Sequence, residues 1–245
     1  MKIHVLLKKE ELDSERLEGK VVVVLDILFA TSSIVAAMAN GARDVIPSLD
    51  GKAAQVEAAK HPPGSYVLSG ELNADTLPGF AHPTPHALLR ENLAGRTLIY
   101  STTNGTVALA KSVSAEHVYA GALLNGASVV AHIAQAHPQS TVLIVCSGSA
   151  DNFNLEDFYG AGHFVSHFRK SLGTHEYSDA ALAAELLHDS TAALTCLRRA
   201  RVGRLMLARH LDDELAYAAQ KDIFSVVPKL NLHGRLVAVT NQEFP

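Results

Sequence analysis

Acidic side chains stand close behind several predicted strands of this 245-residue chain. Asp26, Glu71 and the pair Glu156 and Asp157 each follow a short apolar run. Ligands in open α/β sheets bind beyond the carboxyl ends of the strands, so we expect these carboxylates to share one site. Carboxylate oxygens are the hard ligands that Mg²⁺ prefers. The sequence therefore predicts a magnesium site formed by these four residues.

A segment rich in hydroxyl and amide groups follows another predicted strand. It is Ser-Thr-Thr-Asn-Gly-Thr at 101–106, and a predicted helix begins within it. Hydroxyls and free N–H groups at helix starts suit phosphate oxygens. The segment therefore adds a possible anion-binding element to the predicted metal site.

Each of these candidates also has a purely structural interpretation. Asp26 could end its strand and bond the following turn, and the segment 101–106 could only cap a helix. Asp157 lies three residues after Asn154 and could complete a capping box, while Glu156 would complement the helix dipole. The sequence leaves both interpretations open.

Histidine is unusually frequent, with 13 residues in the chain. His163 and His167 lie four positions apart in a predicted helix and so share a face. Such a pair can bind Zn²⁺, but no Glu stands beside His163 as in the protease motif and no third ligand is evident. We interpret the two histidines as a partly exposed helical pair.

Short apolar runs alternate with Ala-rich amphipathic segments over the first two-thirds of the chain. This pattern predicts a largely parallel or mixed sheet with helices on both faces, a three-layer α/β/α fold in one domain. Strands are predicted at 3–7, 20–25, 44–47, 66–68, 97–100, 117–120, 141–146, 223–228 and 235–240. Helices are predicted at 32–40, 51–60, 84–92, 104–111 and 125–136, with a mainly helical C-terminal part at 154–220.

Composition excludes several classes of protein. An apolar share of 48% against 19% charged residues supports a sizeable core and is also compatible with a homodimer. A net charge of −4 gives no general reason to bind nucleic acid or an anionic membrane. The longest apolar run, at 21–30, is interrupted by Asp26 and is too short to span a bilayer. Two cysteines, Cys146 and Cys196, form no disulfide framework, so we expect a cytoplasmic protein.

Six segments, taken in order, resemble the 2-phosphosulfolactate phosphatase family. They are Leu-Asp-Ile-Leu-Phe-Ala-Thr-Ser-Ser at 25–33, Gly-Glu-Leu-Asn at 70–73, Pro-Gly-Phe at 78–80, the segment 101–106, Asn-Phe-Asn-Leu-Glu-Asp-Phe-Tyr-Gly-Ala-Gly at 152–162 and Asp-Ile-Phe-Ser-Val-Val-Pro at 222–228. Each motif alone is weak, but the set covers nearly the whole chain and is fairly specific.

The resemblance implies an enzyme that hydrolyses a small anionic phosphomonoester with Mg²⁺. It assigns catalytic roles to Asp26, Glu71 and Asn104, and metal ligation to Asp26, Glu71, Glu156 and Asp157. Residues with hydroxyl, N–H or guanidinium groups would contact the substrate: Thr31, Ser32, Thr102, Thr103, Gly105, Thr106, Arg201 and Arg204.

The chain departs from the family pattern at three positions. The family carries Arg where this chain has Phe29, Leu72 and Val107. Arginine is the usual bidentate partner of phosphate and sulfonate groups, so its loss should weaken or change substrate binding. The alternative is therefore a divergent member with another substrate, or a non-catalytic protein that binds a small metabolite. Arg201 and Arg204 are the candidates for replacement cations.

Overall fold

The structure is a computed structural model that describes residues 1–171, 173 and 175–239. Eleven strands form one mixed sheet in this part of the chain. They are β1 Lys2–Leu6, β2 Lys20–Leu25, β3 Asp44–Ser48, β4 Tyr66–Leu72, β5 Asp75–Thr76, β6 Thr97–Ser101, β7 His117–Gly121, β8 Thr141–Cys146, β9 Glu176–Tyr177, β10 Pro228–Leu230 and β11 Leu236–Ala238.

Ten α-helices accompany the sheet in the described residues. They are α1 Ala30–Ala39, α2 Gly51–Ala58, α3 Pro85–Leu88, α4 Gly105–Lys111, α5 Gly126–Ala136, α6 Leu155–Lys170, α7 Asp179–Ser190, α8 Ala193–Arg199, α9 Arg201–Ala208 and α10 Asp212–Ala218. Three short 3-10 helices cover Lys9–Glu11, Ser14–Arg16 and Leu123–Asn125.

The strand order is β5-β4-β6-β3-β11-β10-β7-β2-β8-β1-β9. Two parallel groups, β4-β6-β3 and β7-β2-β8-β1, are joined by the antiparallel hairpin β10–β11. Valines and leucines on one sheet face pack with α1 and α4, and those on the other face pack mainly with α6 and the C-terminal helices. The predicted three-layer α/β/α fold with a mixed sheet is confirmed.

The two parallel groups approach each other at their carboxyl ends. In a flat sheet β2 and β6 would lie about 24 Å apart, because five strand spacings separate them. Yet Asp26, directly after β2, lies against Gly105 in the segment that follows β6. The sheet therefore curls around α1, whose first nine residues are all buried. A helix that is buried on all sides in this way belongs inside a core.

Four of the predicted boundaries need correction. β4 runs to Leu72, so Glu71 lies inside the strand and not in the loop behind it. The helix predicted at 84–92 is the single turn α3. The strand predicted at 223–228 is β10, at Pro228–Leu230, because the backbone N–H of Phe224 bonds Leu124 O instead of a sheet neighbour. The predicted strand 235–240 narrows to β11, and Thr240 lies outside the described residues.

Candidate active site

A cavity of about 220 Å³ opens where β2, β4, β6 and β8 end. Three carboxylates, several polar groups and an apolar wall line it. The lining residues are Asp26, Leu28, Phe29, Glu71, Asn73, Ala74, Thr103, Asn104, Gly148, Ser149, Ala150, Asn154, Glu156, Arg201, Val202 and Leu205. The structure therefore brings together Asp26, Glu71, Thr103, Asn104, Glu156 and Arg201 of the residues that the sequence singled out.

Asp26 lies between the starts of α1 and α4. Burial and the charge of Glu71 raise the pKa of its carboxyl to about 6. The backbone N–H groups of Phe29, Ala30 and Gly105 face the carboxylate and partly offset this rise. The carboxylate is thus held rigidly at the cavity wall in an environment that disfavours its negative charge unless a cation is present.

Gly105 is the residue that lets α4 approach Asp26. A Cβ atom at position 105 would lie 2.6 Å from Asp26 Oδ2 and 2.3 Å from the Cβ atom of Ala30. Neither distance is possible for real atoms, and Ala30 belongs to the buried start of α1. Gly105 therefore acts by close packing at the site, and it does not itself line the cavity.

Glu71 joins two loops at the cavity edge. Its Oε1 accepts a hydrogen bond from the N–H of Thr103 (2.6 Å), and its Oε2 accepts one from the N–H of Ala74 (2.6 Å). Asn73 and Ala74 have positive φ angles of 55° and 67°, a conformation that L-residues adopt at some cost. The carboxylate of Glu71 thus stabilises a strained turn in addition to facing the cavity.

Glu156 lies in the first turn of α6 and is only 2% exposed. Its Oε2 atom is buried without any hydrogen-bond partner. Burial and the nearby charge of Asp26 raise the pKa of Glu156 to about 7, although its own backbone N–H and Arg201 oppose the rise. A buried carboxylate oxygen without a partner is costly, so this atom indicates a ligand position.

Asp157 lies behind the cavity. Its Oδ1 accepts from the N–H of Ile27 (2.9 Å), and its Oδ2 accepts from the N–H of Gly148 (3.2 Å). Burial and the charges of Asp26 and Glu156 raise its pKa well above the ordinary value. The capping box considered for Asp157 does not form, because the N-cap Asn154 makes no side-chain cap. Asp157 ties the loop after β2 to the loop after β8.

Most of the predicted hydroxyl contacts point back into the chain. Thr31 bonds the backbone of Asp26, and Ser32 donates to Ile27 O (2.6 Å). Thr102 and Thr106 bond each other's backbone, which is the capping alternative. Thr103 lines the cavity, whereas Thr31, Ser32, Thr102, Gly105 and Thr106 do not.

The two candidate arginines have different surroundings. Arg201 lines the cavity and donates to Ser149 Oγ, which in turn donates to Asn154 Oδ1 (2.8 Å). Arg204 is exposed and donates to the carbonyl of Arg199, outside the cavity. Among the described residues that line the cavity, Arg201 is the one cation.

Lys9 is a site residue that the sequence analysis missed. It is only 6% exposed, and its ammonium donates to Asn104 Oδ1 (3.0 Å) and Ser147 O (3.2 Å) and pairs with Glu10 (2.9 Å). A lysine can only donate, so it fixes the amide oxygen of Asn104 on its side. The amide NH₂ of Asn104 is then the group available to a ligand in the cavity.

The three positions that depart from the family pattern now have places in the structure. Phe29 lines the cavity and is buried, whereas Leu72 is 57% exposed on β4 and does not line it. Val107 lies in α4, partly buried and also outside the lining. With Leu28, Val202 and Leu205, Phe29 forms the apolar wall of the cavity.

Comparison with known proteins defines the class of this fold and site. A family profile described as "2-phosphosulpholactate phosphatase" matches residues 6–233. A Clostridium beijerinckii protein named "Probable 2-phosphosulfolactate phosphatase" is 31% identical over 94% of this chain and 96% of its own length. Proteins of the same name from Symbiobacterium thermophilum and Clostridium perfringens are each 32% identical, over 88% and 93% of this chain and 93% and 92% of their own lengths.

These matches place the chain among the phosphatases, the enzymes that hydrolyse phosphoric monoesters. It belongs to the 2-phosphosulpholactate phosphatase family. The expected family and enzyme class are thereby confirmed. None of the helices in the described part of the chain combines the length and apolar character that a membrane crossing requires.

Proposed function

We propose that this chain hydrolyses a small phosphomonoester in a Mg²⁺-dependent reaction within the carboxylate cavity. The observation that carries the proposal is Glu156 Oε2, a buried carboxylate oxygen without a partner, in a side chain close to the charge of Asp26. Burial raises the pKa values of Asp26 and Glu156, and repulsion by a neighbouring carboxylate, Glu71 for Asp26 and Asp26 for Glu156, adds to the rise. A divalent cation would remove this repulsion.

The donor set fits Mg²⁺. Asp26, Glu71 and Glu156 would hold the ion, because all three line the cavity and offer hard oxygen ligands. Asp157 would act from behind, because it does not line the cavity and instead accepts from the backbone N–H groups of Ile27 and Gly148. When bound, Mg²⁺ would neutralise phosphate charge and lower the pKa of a bound water.

The remaining polar lining would bind and orient the phosphomonoester. Arg201 would pair with an anionic oxygen, and the amide NH₂ of Asn104 would donate to another. Lys9 keeps this amide in place through its hydrogen bond to the amide oxygen. The apolar wall excludes water from one side of the cavity and would contact the organic part of the substrate.

The relatives are named for 2-phosphosulfolactate, but the apolar wall favours a less anionic substrate. A sulfonate placed against Phe29, Leu28 and Val202 would lose its hydration without gaining a partner. 2-Phospholactate differs from 2-phosphosulfolactate by lacking the sulfonate and is therefore a matched probe. We expect kcat/KM for 2-phospholactate to equal or exceed that for 2-phosphosulfolactate.

The test is a steady-state phosphatase assay on a panel of small phosphomonoesters that includes this pair, with Mg²⁺ and with EDTA. Turnover should require Mg²⁺ and should be abolished in the Asp26→Asn variant. The exposed Asp213→Asn variant is the matched control and should keep full activity. If the folded protein binds Mg²⁺ but turns over no phosphomonoester, the hydrolase proposal fails and the alternative of a non-catalytic metabolite-binding protein is favoured.

A further inference from the structure

A second group of potential metal ligands lies outside the carboxylate cavity. His163 and His167 occupy neighbouring turns of α6, and Asp222 reaches them from the segment after α10. The sequence shows the two histidines as a pair but gives no sign of the third ligand, because Asp222 is 55 residues beyond His167. The expectation of a partly exposed pair is wrong for His163, which is only 3% exposed.

The three side chains point their ligand atoms at one another. His163 Nε2 lies 3.1 Å from Asp222 Oδ1, and His167 Nε2 lies 2.9 Å from Asp222 Oδ2. One ligand atom from each residue lies within 4.8 Å of the others. Ligand atoms around tetrahedral Zn²⁺ are about 3.4 Å apart, given bonds of about 2.0–2.1 Å. An ion would therefore need only small side-chain shifts.

The backbone around the cluster favours this arrangement. Asp222 has a positive φ of 55° and is fixed by its N–H, which donates to Leu123 O (2.9 Å). Its Oδ1 also accepts from the N–H of Ala127 (2.7 Å). A Cβ atom on Gly126 would lie 2.8 Å from His163 Nε2, so glycine makes the room for this imidazole. Such outer contacts are typical of side chains that are oriented for metal binding.

The neighbouring charged groups leave the cluster open to a cation. The Lys221 ammonium is engaged with Tyr159 Oη (3.0 Å) and His188 Nε2 (2.8 Å). His188 Nε2 is thereby occupied, which leaves three protein ligands. The side chains of His167 and Asp222 are 23% and 28% exposed, so water can complete the coordination.

We propose that His163, His167 and Asp222 form a binding site for a transition-metal cation of the Zn²⁺ class, separate from the carboxylate cavity. Two imidazoles and one carboxylate are ligands that such ions prefer over Mg²⁺. Along α6, the histidines lie about 10 and 16 Å from Glu156, at 1.5 Å per residue. The bound ion would link α6 to the segment that leads into β10, because Asp222 lies in that segment. It would also stabilise the contact of Asp222 with Ala127 at the start of α5.

The test is a calorimetric titration of the metal-free full-length chain with Zn²⁺. The Asp26→Asn background weakens zinc binding in the carboxylate cavity and so isolates the second site. We expect one equivalent to bind in that background, and His167→Gln or Asp222→Asn to weaken it by at least about 100-fold, because each removes a direct ligand. The exposed His233→Gln variant is the matched histidine control and should bind Zn²⁺ as tightly as the Asp26→Asn parent.

Thermal unfolding and Co²⁺ absorption give independent readouts. Zn²⁺ should raise the unfolding midpoint of the parent and of His233→Gln but not of His167→Gln, and bound Co²⁺ should show the visible bands of a tetrahedral site. Circular dichroism confirms that each variant is folded. The proposal is overturned if the parent binds no Zn²⁺, or if His167→Gln and Asp222→Asn bind it as tightly as the parent. Phosphatase activity is not part of this test, so failure of either proposal leaves the other standing.

Discussion

Replacing Glu156 by Gln should stabilise the metal-free protein while it removes activity. The substitution keeps the size of the side chain but abolishes a negative charge that is 2% exposed and has an oxygen without a partner. A group that is retained for function is expected to cost stability when its ligand is absent. Glu156→Gln therefore separates a functional carboxylate from a structural one.

The magnitude follows from the pKa of Glu156, which burial raises from 4.5 to about 7. Between these values the folded state binds more protons than the unfolded state, so stability falls as the pH rises. At 1.36 kcal/mol per pKa unit, the ionisation penalty is about 1 kcal/mol at pH 5 and about 3 kcal/mol at pH 8. Gln has no such penalty. The variant should thus gain stability over the parent as the pH increases.

The assay is urea or thermal unfolding in EDTA at pH 5 and pH 8. At about 2–4 °C per kcal/mol for a chain of this size, Glu156→Gln should melt about 6–12 °C above the parent at pH 8 and only a few degrees above it at pH 5. The exposed Glu91→Gln variant is the control and should match the parent. With Mg²⁺ the order should reverse, because only the parent keeps all three ligands. A variant that is less stable than the parent at pH 8 without metal would refute the reasoning.

Three further substitutions test other parts of the site. Gly105→Ala should destabilise the fold by about 1–3 kcal/mol and lower kcat, because the added Cβ atom would meet Asp26 Oδ2. Urea unfolding measures the loss of stability, and a steady-state assay measures kcat. Asp157→Asn should lower the free energy of unfolding in urea by about 1–3 kcal/mol, because the Asn amide can accept from only one of the N–H groups of Ile27 and Gly148. An unchanged urea midpoint would contradict this expectation. Arg201→Ala should raise KM by about 10-fold or more, the worth of one charge-assisted contact, whereas the matched Arg204→Ala should leave KM unchanged. A KM for Arg201→Ala no higher than that for Arg204→Ala would contradict the role of Arg201.

The layers of the fold were predictable because buried strands leave a strong signal. The run Lys-Val-Val-Val-Val-Leu of β2 is β-branched and apolar on both faces, and its bounds match the prediction. The position of the hairpin β10–β11 was not predictable. Its register depends on single pairings, Lys229 with Tyr119 and Leu236 with Val45, between segments far apart in the chain. Local patterns carry no information about such partners.

The site was predictable in its residue types but not in their orientations. Asp26 could be found because it interrupts an otherwise apolar run, and Glu156 because it lies in a segment that follows another strand of the same sheet. Asp157 has the same chemistry one residue later, but the helix turns it toward the N–H groups of Ile27 and Gly148. Lys9 escaped notice because it belongs to a Lys-Lys-Glu-Glu run, which resembles a solvated surface. Only the tertiary fold buries it against Asn104.

The balance of charge in the cavity supports the proposal that a cation enters with the substrate. Three carboxylates line it, while Arg201 is the one lining cation in the described residues and Lys9 is already paired with Glu10. A phosphate adds further negative charge, so the chain's own groups would repel a phosphomonoester more than they attract it. The positive charge that three arginines would supply at positions 29, 72 and 107 is absent, and two of these positions do not line the cavity. Substrate affinity should therefore depend on Mg²⁺ more steeply here than in a relative that carries an arginine at the position of Phe29.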